Sequence, residues 1–333
     1  MSSGAAFKDL VSRALDRRSG LVRSGATDAF RVFAGESDGL TGVFIDRYGP
    51  GAVLIVYEGS DGRAPIDSTG AAEATLSALA PLGVTAVYVK VFAKDRSRLG
   101  GLHPAALSDP TPEAGAALPE WFEVNEHGTR LEVRLYDGFS TGIFLDQREN
   151  RRHLAEVCAR SPGMKVLNTF CYTGAFSAAC ARAGAVTASV DVSGRYLDWA
   201  KRNFALNGLD PAPHRFAKMD TFEFFEYAER KGLRFDLVIL DPPSFASAPK
   251  SGGRAWSSVT GYSRLVAGAA RLLEKGGVIF ASTNTVELCR VGRLDREIVK
   301  GLGARPKWLG LPAPPADFGP CAGRFAARLF SPT

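Results

Sequence analysis

Two rhythms of apolar and polar positions divide the chain. Residues 7–24 read as a basic helix, with Lys8, Arg13, Arg17, Arg18 and Arg23 set against Asp9 and Asp16. Short β-branched and aromatic runs follow: "FRVFAG", "LTGVFIDRYG", "GAVLIVYEG" and "VTAVYVKVF" predict strands, and the Ala-rich "AAEATLSALAPLG" between the last two predicts a helix. Residues 100–120, rich in Gly, Pro and Ala, read as a connector. "FEVNEHGTRLEVRLYDG" alternates about a polar turn and predicts a hairpin. From about Lys165 strands and helices alternate. The strands are "KVLNTF", "TASVDV", "FDLVILD" and "GVIFAST", and the helices between them fall at 174–184, 194–207, 221–232 and 260–274. The expected fold class is therefore α/β, a Rossmann-like doubly wound parallel sheet preceded by a smaller α+β domain. The expected boundaries are a basic helix over 1–29, the small domain over 30–120, and a hairpin plus the sheet domain over 121–333.

Composition adds little beyond exclusions. The 333 residues are 45% hydrophobic and 23% charged, with no apolar run of membrane-spanning length. The first residues hold no apolar core of an export signal. Five cysteines without CxxC spacing fit reduced thiols and a cytoplasmic location, and the scattered histidines gather no carboxylates for a metal site. A net charge of +6 permits a polyanionic partner without requiring one.

In an open parallel sheet the ligand lies beyond the carboxyl ends of the strands. Those ends carry, in order, Asn168, Asp191, Asp220 and Asp241. The turn after the first, "NTFCYTGAF", has one glycine, Gly174, and no phosphate-cradling G-x-G-x-x-G or P-loop pattern. A nucleoside without phosphates fits such a turn. Asp191 is placed to accept from ribose hydroxyls. Asp220 is placed either to cap the next helix or to accept from an adenine amine. The fourth end runs "DLVILDPPSF": Pro242 and Pro243 stiffen the loop and remove two amide donors. Phe245 there either stacks on a flat substrate or packs in the core.

These motifs, with "GFSTGIFLDQRENRR" (138–152), "VLNTFCYTGAFS" (166–177) and "FRVFAGESDGLTGVFIDRYG" (30–49), resemble the class I S-adenosylmethionine-dependent methyltransferases of the large-subunit (23S) rRNA family, which has cytosine-C5 and guanine-N7 branches. The resemblance runs from residue 30 to the end. It implies S-adenosylmethionine as methyl donor and 23S rRNA as substrate. It implies that Asn168, Phe170, Tyr172, Thr173 and Gly174 line the donor, that Asp191 and Val192 take its ribose, and that Asp220 and Thr221 meet its adenine. Arg148 would help close the donor site, with Asp146 and Gln147 shaping the loop. Asp241, Pro242, Pro243 and Phe245 would face the substrate, with Asp241 also bordering the donor, and Asn284 would read the base. The chain starts too near the 30–49 motif to hold the RNA-binding PUA domain usual in the C5 branch. RNA contact then falls to the leading helix, the run "KVFAKDRSR" from Lys90 to Arg98, and Arg148, Arg151 and Arg152.

Methylation at cytosine C5 needs a cysteine thiolate to add at C6 first. By register with the C5 branch that cysteine would stand at Asn284, and "STNT" (282–285) contains none. Cys289 lies five residues too far on, and Cys171 reads as a buried small residue. The polar stretch is closer to the guanine-N7 branch, where a ring nitrogen brings its own lone pair and only alignment is required. His127, His153 and His214 are expected to face solvent. Two other readings stay open: methylation of a small molecule or protein, and a silent RNA-binding assembly factor. The oligomeric state is open too, a homodimer included.

Overall fold

The computed structural model describes residues 4–59, 62–92, 109–138, 140–246, 256–319 and 325–332. The chain forms two compact units, Met1–Arg148 with Pro315–Pro320, and Glu149–Pro314 with Cys321–Thr333.

In the first unit, helix α1 (Gly4–Arg17) presents Phe7, Val11 and Ala14, one apolar stripe, to the core. After a break at Arg18 the chain continues as α2 (Ser19–Ser24). Strands β1 (Ala29–Ala34), β2 (Val43–Tyr48) and β3 (Gly51–Tyr57) form an antiparallel meander. Helix α3 (Ser68–Leu79) then crosses over to β4 (Ala86–Phe92), which is parallel to β3, and β5 (Ala114–Gly115) closes the edge. Asp67 caps α3 by accepting from Gly70 N at 3.1 Å. One face of the sheet, with Val43, Ile45, Leu54 and Val56, packs against Phe7, Val11, Ala72 and Leu79.

The hairpin β6 (Phe122–Glu126) and β7 (Thr129–Val133) forms about the expected turn. It belongs to this first unit and not to the sheet domain, which corrects the expected boundary at residue 121. The reason is in its hydrogen bonds: Asn125 N donates to Asp28 Oδ1 at 2.8 Å, Thr27 Oγ1 donates to Asn125 O at 2.9 Å, and His127 N donates to Ala26 O at 2.7 Å.

Several cations expected on an RNA-facing surface are structural. Arg18 is buried and donates to Arg31 O, Ala14 O, both oxygens of Asp38 and Asp317 O. Lys90 is 3% exposed, and among the described residues its ammonium has no hydrogen-bond partner. Burial pulls its pKa down to about 8 against the attraction of Asp137 and Asp46. The rest of that basic run, from Ala93 to Arg98, lies outside the described residues.

The second unit begins at Glu149, within helix α4 (Arg148–Ala159), and carries a seven-stranded sheet. Its strands are β8 (Lys165–Thr169), β9 (Val186–Asp191), β10 (Arg215–Lys218), β11 (Phe235–Leu240), β14 (Leu273–Thr283), β15 (Lys307–Leu309) and β16 (Ala326–Ser331), in the order β10-β9-β8-β11-β14-β16-β15. The first five are parallel, and β16 is antiparallel to both neighbours. The pair β12 (Phe245–Ala246) and β13 (Trp256–Ser257) forms a separate two-residue ladder. Helices α5 (Ala175–Arg182), α6 (Gly194–Leu206), α7 (Thr221–Arg230) and α8 (Ser258–Arg271) connect the parallel strands. Helices α9 (Val286–Cys289) and α10 (Arg293–Leu302) follow β14. Strand β11 is buried on both faces: Leu237 and Ile239 join Val166, Phe176 and Phe280, whereas Val238 and Leu240 join Phe224, Tyr262, Leu265 and Ile279. Strand order reverses between β8 and β11, which puts the crevice at their carboxyl ends.

Candidate active site

The loop leaving β8 is wound tightly. Phe170 and Tyr172 hold φ of 52° and 51°, and Gly174 holds 73°. Left-handed backbone at two non-glycine residues is costly and persists only where neighbours enforce it. Here the enforcement comes from Asp191 at the end of β9. Its Oδ2 accepts from Tyr172 N at 2.9 Å and its Oδ1 from Ser193 N at 2.8 Å. Burial pushes the Asp191 carboxyl above its ordinary range, opposed by amide hydrogen bonds from Ser193, Tyr172 and Val192. From below, Asn203 Nδ2 donates to Thr173 O at 2.8 Å. Gly174 is required twice over, because a Cβ would stand 2.7 Å from Ala200 Cβ at a φ that side chains rarely adopt.

Beyond the loop, Tyr172 meets Tyr196 edge-on at 4.5 Å, and Val192 is 64% exposed at the same rim. Asp220 caps α7: its Oδ1 accepts from Phe222 N at 2.8 Å and Glu223 N at 3.4 Å. The capping alternative is therefore realised, and among the described residues Oδ2 accepts nothing and stays open to a ligand. Thr221 is buried. A carboxylate at the second strand end, an exposed valine beside it and a second acid oxygen at the third fit a ribose diol and an adenine ring. No glycine-rich phosphate cradle interrupts them.

Two expected donor contacts take other partners. Asn168 is 2% exposed, and its Nδ2 donates to Ser177 Oγ at 2.9 Å, which also accepts from Ser189 Oγ at 2.8 Å. Its side chain serves the core under the loop, because a buried amide must be satisfied. Arg148, also 2% exposed, spends its guanidinium on Asp317, with Nη2–Oδ1 at 2.5 Å and Nη1–Oδ2 at 3.1 Å. Gln147 is buried as well. Arg151 is buried with its guanidinium 5.7 Å from the Phe176 ring, and Arg152 pairs with Glu149 and Glu156 on its own helix. The cluster 148–152 is thus a packing device and not an exposed cationic patch.

The acid–Pro–Pro–aromatic segment behaves differently. Asp241 Oδ1 accepts from Ser282 Oγ at 2.7 Å. Beneath them the fully buried Tyr262 donates its hydroxyl to Ser282 O at 2.9 Å. Pro242 is buried, Pro243 exposed, and Phe245 is 68% exposed, so the alternative of a core phenylalanine is excluded. The Pro243 carbonyl is already engaged, because Trp256 Nε1 donates to it at 3.1 Å. Trp256 faces Phe222 at 5.7 Å and Phe170 at 6.2 Å, and the Arg264 guanidinium lies 4.2 Å over the Phe222 ring. Gly261 makes room for this tryptophan, since a Cβ there would overlap its ring.

Asn284 is exposed just past β14, and Ser244 Oγ donates to its Oδ1 at 3.1 Å. Cys289 donates its thiol to Thr283 O at 3.4 Å, and burial pushes its pKa up to about 11. At neutral pH it is a thiol and no nucleophile. Cys171 is buried, its pKa raised by desolvation and by Asp191, as a structural cysteine should be. The histidines do not simply face solvent. His153 is half-buried, and His214 Nδ1 accepts from Thr187 N at 3.1 Å.

Sequence reasoning missed Ser177, Ser189, Asn203, Ser244, Trp256, Ser258, Tyr262 and Thr285. Asn203 had a legible signal, a polar residue on the apolar stripe of Leu197, Ala200 and Phe204. The serines had none.

A sheet with this strand order, a tight glycine-poor loop after its first strand and an acid after its second defines a class I methyltransferase. Comparison with known proteins agrees: residues 107–298 match the S-adenosylmethionine-dependent methyltransferase family, and the chain belongs to that family. It is 38% identical over 282 residues to YwbD of Bacillus subtilis, named as a candidate ribosomal RNA large subunit methyltransferase, covering 84% of this chain and 67% of that protein. It is 34% identical over 280 residues to a ribosomal RNA large subunit methyltransferase of Deinococcus radiodurans, covering 82% of this chain and 64% of the relative. The crystal structure of SMU.776, a candidate methyltransferase complexed with S-adenosylhomocysteine (SAH), superimposes with a TM-score of 0.82 at 29% identity, over 99% of this chain and 82% of that one. Among the described residues no helix is long and apolar enough to cross a membrane.

Proposed function

We propose that the protein methylates a base of large-subunit ribosomal RNA, at a ring nitrogen and not at cytosine C5. The observation that carries this reading is the exposed Phe245 beside Asp241 and Asn284, a stacking face next to polar groups at the strand ends. The methyl donor supplies an electrophilic sulfonium methyl when bound. Asp191, Val192 and Asp220 would hold its nucleoside half, and the Phe170–Gly174 loop would receive its amino-acid half. Phe245 stacks on the extruded base, and Asp241, held by Ser282, orients it. A ring nitrogen attacks with its own lone pair, so alignment and exclusion of water suffice. Cys289 as a neutral thiol and Asn284 at the adduct position both speak against the C5 route. The relatives' names support the RNA class, although the chain spans only about two thirds of their length. Exposed Lys8, Arg13 and Arg23 on the first two helices support further contact with RNA phosphates.

The test is transfer of labelled methyl from the donor to 23S rRNA, run beside a small-molecule extract and a protein extract. Label in the RNA fraction is the expected result. Label only in either extract transfers the reading to that substrate, and donor binding without any transfer leaves the silent assembly factor.

A further inference from the structure

Resting on that reading, we propose that Ser258, Thr285 and Ser244 form a one-way hydroxyl chain that fixes the Asn284 amide as an outward donor. The site thereby selects a base with an acceptor beside the methylated atom, as guanine carries O6 beside N7.

Each hydroxyl has one proton to give. Ser258 Oγ lies 2.6 Å from Thr285 Oγ1, Thr285 Oγ1 donates to Ser244 Oγ at 2.9 Å, and Ser244 Oγ donates to Asn284 Oδ1 at 3.1 Å. The chain starts at Ser258 and Thr285, which are 0% and 3% exposed, and ends at the exposed Asn284. Running it backwards would require the amide NH2 to donate inward. The Ser258 proton would then have Ser244 O as its outlet, at 3.4 Å, and that carbonyl already accepts from Ser258 N at 3.1 Å. The outward polarity uses only the three short bonds, and hydrogen bonds weaken as they lengthen. Consecutive hydroxyls that donate in one direction also reinforce each other.

With Oδ1 held by Ser244, the NH2 of Asn284 is the half presented to substrate. On the edge that bears N7, guanine offers two acceptors, N7 and O6. Adenine offers N7 beside an amine, and cytosine presents an amine next to C5. Among the bases with a ring nitrogen on that edge, only guanine gives the amide an acceptor next to the reacting atom; uracil sets O4 beside C5, a carbon that the missing thiolate leaves unreactive. An amine there would set donor against donor. Ser258, Thr285 and Ser244 are positioning residues in this arrangement, and Asn284 is the contact.

The experiment uses the full chain, labelled methyl donor and 23S rRNA, with nucleosides separated by mass spectrometry. The expected product is 7-methylguanosine. Thr285→Val, close in shape but without the hydroxyl, is expected to lower kcat/KM for RNA about 10-fold or more while SAH binds as in the parent, and Thr285→Ser is expected to restore it. Asn284→Asp, at an exposed position that does not threaten folding, should lose guanine methylation about 10–100-fold, since the donor becomes an acceptor. Label on cytidine, adenosine or uridine would overturn the inference and leave RNA methylation standing, as would Thr285→Val or Asn284→Asp at parental rate. Absence of label from RNA would remove both.

Discussion

Asp317 grips the guanidinium of Arg148 from 169 positions further along the chain, with both groups almost wholly buried. The same carboxylate accepts from Arg31 N at 2.9 Å, and its backbone carbonyl takes Arg18 Nη2 at 2.9 Å. A late segment, Pro315–Pro320, is thereby built into the N-terminal unit. Removing one partner of such a pair leaves an uncompensated buried charge, whereas replacing both partners does not. Asp317→Asn is expected to destabilise by about 3–5 kcal/mol in denaturant unfolding. The double variant Arg148→Met/Asp317→Asn should recover part of that loss, and an additive double variant would refute the pairing account.

Lys90 gives a pH-dependent outcome. Its folded pKa, about 8, lies below the ordinary lysine value of 10.5. Below pH 8 both states are protonated and the native state bears the whole cost of a buried cation. Between about pH 8 and 10.5 the unfolded chain binds more protons, so the contribution of Lys90 improves as pH rises. Lys90→Met should therefore raise the Tm at pH 7, and its advantage should shrink toward pH 10. A constant advantage across that window would count against a charged Lys90 in the fold at neutral pH.

Asp191 braces the loop, and in the proposed reading it also holds the ribose of the donor. Asp191→Ala should weaken SAH binding about 10–100-fold by calorimetry, the size of one or two charge-assisted hydrogen bonds. Unchanged affinity would remove Asp191 from the donor site.

Phe245→Ala should lower kcat/KM for RNA by about 5–150-fold, the range of about 1–3 kcal/mol for one base–aromatic stack. SAH affinity should stay put, and Phe245→Trp should retain most activity. Equal losses in donor and RNA binding would point to a collapsed loop instead.

Cys289→Ala should keep methyl transfer within about threefold of the parent, because a thiol titrating near 11 adds nothing to a ring carbon at neutral pH. A loss of two orders of magnitude would reopen the C5 route.

Much of the second unit was legible because its strands are continuous apolar runs that end on polar residues. "FDLVILDPPSF" announced the central strand, whereas the exposure of Phe245 beyond it was settled by the structure. The short edge elements were not legible. Strand β10 reads Arg-Phe-Ala-Lys with exposed ends, β15 spans three residues, and β16 sets Arg328 between two alanines and Leu329-Phe330, so no period shows. The places of Asp191 at a strand end and Asp220 before a helix were legible because chain order and periodicity fix such positions. Asn168 and Arg148 were misread because residue type and place do not tell which partner a side chain reaches.

The sequence alone determined what sits at the carboxyl ends of the strands: Asp191, Asp220, the stiff Asp241–Phe245 corner, and no cysteine at 284. Those assignments depend on chain order and periodicity, which are local. Tertiary structure alone decided which polar groups are spent inside. Asp317 claims Arg148, Ser177 claims Asn168, Trp256 claims the Pro243 carbonyl, and three hydroxyls from separate segments aim Asn284. Burying a polar group obliges it to find a partner, and that partner can come from anywhere in the chain.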